Sequence, residues 1–200
     1  MATGKWLGHV PEAGIAPIYE VDDIERVLMN NCNFVTFCTS KKKYEDAPIK
    51  YLNCPVAFDI ETTSTEIGGD KVAFMYQWQF GIDGNVFMGR TWEEFVDLIE
   101  RIALFYDTNA NRRVVIFIEN EAFEFQFMRK YFEWEYVFSL DERRPVAALT
   151  TLGIEFRCSY ILSGYSLEKI GENLLTYKCK KLVGQYDYKK IRHSDTPLTQ

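Results

Sequence analysis

Two hundred residues, 47% of them apolar and 16% aromatic, suffice for one or two domains with a substantial core and exclude a disordered tail. A net charge of −6 argues against a bulk electrostatic binder of nucleic acid, while leaving room for a local basic groove. No apolar run approaches a bilayer crossing, so no membrane partner is expected; the start lacks the basic and apolar regions of a secretory signal, which makes the cytoplasm the expected setting.

Residues 1–50 read as a small N-terminal extension. It holds a short strand at 18–21, a helix at 22–29 capped by Asp22, a strand at 34–38 and an exposed polar loop at 40–48. Residues 51–200 read as one α/β domain. Its first strand, 56–60, is short, apolar and ends in charge. An alternating strand at 71–81 turns through Asp83-Gly84 into a strand at 86–90, a hairpin signal. Thr91 opens a helix with Glu94 completing a capping box, and Phe95, Leu98, Ile99, Ile102 and Phe105 recur at helical spacing. A continuous apolar run at 114–118 is of buried-strand type, and a helix follows over 122–132 with Phe123, Phe127, Met128 and Tyr131 available for packing. Short strands are expected at 136–140 and 146–149, the latter forming a second hairpin with 153–161. Ser166 caps a last helix that runs to about Leu175. This order implies a mixed sheet with helices on its faces.

The five cysteines, Cys32, Cys38, Cys54, Cys158 and Cys179, form no Cys-x-x-Cys pair, so free and mostly buried thiols are expected. The two histidines, His9 and His193, are too few for a His-based metal site. Any metal is then held by carboxylates, which points to a hard cation such as Mg²⁺ or Mn²⁺.

Asp59 and Glu61, at i and i+2 of one strand, share a face. Two neighbouring acids repel unless a cation lies between them, so the pair is either a metal site or a solvated edge. Asn120 and Glu124 stand one helical turn apart where a strand passes into a helix, with Glu119 and Glu121 adding charge. Either Asn120 and Glu124 face one site, or Asn120 caps the helix and Glu124 is solvated. Over 178–192 six cations face the single acid Asp187, and Tyr177, Tyr186 and Tyr188 interleave. Such a segment suits a phosphate backbone with stacked bases, or is an ordinary solvated surface.

The ordered set of Phe58-Asp59-Ile60-Glu61-Thr62, Asn120 to Glu124, the stretch 165–174 and the stretch 180–188 resembles the N-terminal 3′–5′ exonuclease domain of protein-primed family B DNA polymerases. The resemblance covers about residues 52–200 and implies a ribonuclease H-like fold. It also implies a proofreading nuclease in which acids hold two divalent cations for in-line hydrolysis at phosphorus. Asp59, Glu61 and Glu124 match the catalytic and metal-binding acids. Thr62, Asn120, Phe123, Ser159, Lys180, Lys181 and Tyr186 fall at or near positions that bind DNA. The implied partners are a single-stranded DNA 3′ end and either the rest of a split polymerase or a terminal protein primer. Glu119 and Glu121 depart from the family pattern, which has neutral or apolar residues there. The third motif, a Tyr and an Asp on a later helix, is absent from these residues, as are all polymerase motifs. The expectation is therefore an exonuclease part of a larger polymerase. Its alternative is a non-cleaving module that binds single-stranded DNA or a replication partner.

Overall fold

The computed structural model describes residues 18–36, 48–175, 187 and 190–197. Lys180, Lys181, Tyr186 and most of the 40–48 loop lie outside the described residues, as do Cys38 and Cys179. The fold is a mixed α/β sheet flanked by helices. Its strands are β1 (Ile18–Tyr19), β2 (Phe34–Thr36), β3 (Lys50–Leu52), β4 (Val56–Ile67), β5 (Asp70–Ile82), β6 (Asn85–Gly89), β7 (Arg112–Ile118), β8 (Trp134–Ser139), β9 (Pro145–Thr150) and β10 (Ile154–Cys158). The helices are α1 (Ile24–Leu28), α2 (Trp92–Tyr106), α3 (Glu121–Met128), α4 (Tyr160–Ser163) and α5 (Leu167–Asn173). Among the described residues no helix is long and apolar enough to cross a membrane.

The strand order is β1-β6-β5-β4-β7-β10-β9-β8, with the β2–β3 hairpin joined to β7. Strands β4, β5 and β6 are antiparallel neighbours, whereas β7 runs parallel to both β4 and β10. Parallel neighbours need a crossover, and α2 supplies one between β6 and β7. The capping box is formed, with Thr91 Oγ1 accepting from the Glu94 amide at 3.2 Å and Glu94 Oε2 accepting from the Thr91 amide at 3.0 Å. Phe95, Leu98, Ile99 and Ile102 are all fully buried, as their spacing predicts. The Phe95 ring stacks on Phe58 of β4 at 4.2 Å and meets Trp78 of β5 at 5.5 Å. One sheet face is thereby fixed as the core face, carrying Val56, Phe58 and Ile60 of β4 and Val114, Ile116 and Ile118 of β7. From the 1–50 segment, α1 sets Ile24 and Leu28 into this same core, and Arg101 of α2 pairs with Asp22 at 3.0 Å.

Several boundaries differ from expectation. β4 does not stop at Ile60. It runs to Ile67 because β5 pairs with it along its whole length, and Gly68 and Gly69, both at positive φ, close the hairpin. Helix α3 ends at Met128, four residues short of Phe132. After it the rings of Phe132 and Trp134 turn inward onto Phe156. β10 ends at Cys158 rather than at Ile161. The Ser159 amide bonds the Ile118 carbonyl at 2.8 Å, and the chain bends into α4, which Gly164 terminates in the left-handed region. Helix α5 ends at Asn173; its Ser166 cap forms as expected. Of the described cysteines only Cys158 is buried, while Cys32 is exposed and Cys54 half-buried; all three are free thiols.

Candidate cation and nucleic-acid site

Alternation along β4 sends Ala57, Asp59 and Glu61 to the face opposite the core. The last β4–β7 pairing is Ala57 with Phe117, so Asp59 and Glu61 lie just past it, where β7 is about to end. The pair is thus not at a strand tip, as the sequence suggests. It sits mid-strand, at the point where two parallel strands part, with a bulge following between Glu61 and Thr62. In open α/β sheets the carboxyl ends of parallel strands are where crevices form. Asp59 is exposed, and Glu61 and Thr62 are half-buried.

Past Ile118 the chain enters α3 through Glu119 and Asn120. Asn120 occupies the N-cap position in the left-handed region (φ 60°) and makes no side-chain cap. Its amide is therefore not spent on the helix, in contrast to the capping alternative. Asn tolerates this conformation better than most side chains. The inward stripe of α3 is Glu121, Glu124 and Met128, while Phe123 is turned outward, 44% exposed, with its ring 5.2 Å from Phe127. A helix normally buries its aromatics and exposes its acids; this one does the reverse at its first turn.

Glu124 is 4% exposed and its Oε2 has no hydrogen-bond partner, which removes the solvated alternative. Glu121 is 0% exposed, and neither of its oxygens has a partner. Burial pushes the Glu124 carboxyl up to about 8; the charges of Asp59, Glu121 and Glu119 add to the rise and its own backbone amide opposes it. Burial likewise pushes Glu121 up to about 7. The Cys158 main chain tempers that rise without reaching full hydrogen-bond geometry, and Glu155 adds to it. Glu124 thus lies within electrostatic reach of Asp59, Glu119 and Glu121 together. These acids lie on β4, the β7–α3 turn and α3.

Ser159 stands across this turn. Its hydroxyl donates to Glu119 Oε2 at 2.7 Å and lies 3.3 Å from the Ile118 carbonyl. It therefore holds Glu119 in place. Neither the Ser159–Glu119 contact nor the burial of Glu121 follows from sequence spacing. The available signal is the run of acids at 119, 121 and 124 beside an outward-facing Phe123.

A third buried acid, Glu155 of β10, makes a contrast. Arg113 reaches its Oε2 at 3.1 Å, Arg157 its Oε1 at 2.8 Å, and the Tyr136 hydroxyl donates to Oε1 at 3.0 Å. Glu155 is therefore paired, bonded and structural.

Among the described residues no three His, Cys, Asp or Glu side chains form a ready cation-binding group. The donor chemistry nevertheless fits a hard divalent cation. All candidates are carboxylates, and the two on α3 are buried with oxygens that no group among the described residues satisfies. Comparison with protein-family models, curated proteins and solved structures returns no match.

Proposed function

We propose that this chain is a 3′–5′ exonuclease unit of ribonuclease H-like fold, the proofreading part of a protein-primed family B DNA polymerase acting in the cytoplasm. The observation that carries this reading is Glu124, buried on α3 with an unpartnered oxygen and in electrostatic contact with Asp59 of β4. The strand order β6-β5-β4-β7-β10, with only β5 antiparallel to the rest, supports the fold assignment. In this reading Asp59, Glu61 and Glu124 hold Mg²⁺ or Mn²⁺, and the bound cations supply the Lewis-acid chemistry of phosphodiester hydrolysis.

The chain's own groups bind and orient the strand. Phe123 offers an exposed ring to a 3′-terminal base, a stack worth roughly 1–3 kcal/mol. Asn120, with its amide free of capping, and Thr62 donate to the terminal nucleotide. Ser159 acts through Glu119, whose carboxylate it fixes. Lys180, Lys181 and Tyr186 follow the backbone of the strand in this reading. A second reading, a non-cleaving module for single-stranded DNA or a replication partner, is favoured by one observation. Burial raises both acids of α3, so that near pH 7 with no cation bound Glu124 stays largely neutral and Glu121 about half so.

Incubation of a 5′-labelled single-stranded oligonucleotide with Mg²⁺ or Mn²⁺ tests the proposal. The expected result is a ladder that shortens from the 3′ end and disappears in Asp59→Ala, Glu61→Ala. Retained binding of the strand without a ladder would support the second reading instead.

A further inference from the structure

The inward stripe of α3 carries one acid more than the proposed cation site uses. Glu121 and Glu124 are three residues apart, hence on the same side of the helix. Glu121 is fully buried, neither of its oxygens finds a donor, and its charge acts on Glu124. A buried carboxylate without a partner is costly, and an apolar residue of similar length would fill the space without that cost. Met128 fills such a position on the same stripe, fully buried in the core. Nor is the other buried acid among the described residues left uncompensated. Glu155, equally buried, is met by Arg113, Arg157 and Tyr136. Those two arginines pair with Glu155, and among the described residues no cation pairs with Glu121.

We propose that Glu121 is a further binding group of the divalent-cation site, the missing compensation at its two oxygens being the cation itself. This rests on the reading of Asp59, Glu61 and Glu124 as that site. It assigns a function to a residue that departs from the family resemblance, at a place where an acid has no packing role. Hard cations take six or more oxygen ligands, so an extra carboxylate beside Glu124 suits Mg²⁺ or Mn²⁺ chemically.

The test is Mn²⁺ titration of the full chain, followed by the loss of the free-ion electron paramagnetic resonance signal and, separately, by the thermal unfolding midpoint. Glu121→Gln is compared with wild type, Glu124→Gln and the apolar Glu121→Met. The proposal expects wild type to bind Mn²⁺ and to melt higher with it. It expects both Glu121 variants to melt higher than wild type without the ion but to bind it about tenfold or more weakly. Mn²⁺ binding at wild-type strength in both Glu121 variants, with loss in Glu124→Gln, would overturn this proposal and leave the reading of the site standing. If wild type itself took up no Mn²⁺, that reading and this proposal would fall together. Should Glu121→Gln not fold, Glu121→Met carries the comparison.

Discussion

Replacing Glu124 with Gln isolates the energetic consequence of burying that carboxyl. Its ordinary value is 4.5, and burial inside α3 pushes it up to about 8. Below pH 4.5 the group is protonated whether the chain is folded or not, so it contributes no penalty. Between 4.5 and 8 the unfolded chain sheds the proton while the fold retains it, so stability falls as pH rises through that window. The folded state loses about 1 kcal/mol to this group at pH 5 and about 4 kcal/mol at pH 8. Gln cannot ionise and has nearly the same shape. Glu124→Gln should therefore raise the metal-free unfolding free energy by about 3 kcal/mol more at pH 8 than at pH 5. Urea denaturation of both proteins at the two pH values, in the presence of a chelator, measures the difference. Equal effects at both pH values, or a loss of stability at pH 8, would refute the burial of an unpartnered carboxyl at this position.

Substitutions at three further positions probe the frame around the site. Glu155→Gln removes the anion from two arginines and should cost about 3 kcal/mol in urea unfolding, opposite in sign to the effect at Glu124. In Gly89→Ala the new Cβ would lie 2.2 Å from Cζ2 of the fully buried Trp78, so a loss of about 1–3 kcal/mol is expected, visible as a lower thermal midpoint. Asn120→Gly should leave unfolding nearly unchanged, because the left-handed φ of 60° suits Gly, whereas Asn120→Val should cost about 1–2 kcal/mol. If the Asn120 amide holds the 3′ nucleotide, Asn120→Gly also weakens single-strand binding in fluorescence anisotropy.

Local chemistry made much of the frame legible in the sequence. The Asp83-Gly84 turn, both residues at positive φ, and the Thr91–Glu94 capping box are decided by neighbours within four residues. The apolar spacing of α2 likewise needs no knowledge of its partner strands. What was not legible depends on tertiary pairing. The polar half of β4, Thr62 to Ile67, is strand only because β5 lies along it, so the sequence by itself puts the Asp59–Glu61 pair at a strand tip. The turn after Cys158 depends on the Ile118 carbonyl, 41 residues away in the chain. The side of α3 that faces inward is set by its seat against β9 and β10, and nothing in the spacing of its aromatics says that Glu121 and Glu124 take that side. The identity of the candidate acids was thus available from the chain, but their burial was not.

In the proposed reading β4 and α3 together make a divalent-cation site. Isothermal calorimetry of Mn²⁺ binding at pH 7, in two buffers of different ionisation enthalpy, tests it most directly because it counts protons as well as ions. With Glu124 near 8 and Glu121 near 7, both acids hold protons that a cation must displace. Binding should release about one to one and a half protons and be lost in Glu124→Gln. Binding without proton release, or binding that Glu124→Gln leaves unchanged, would contradict that reading.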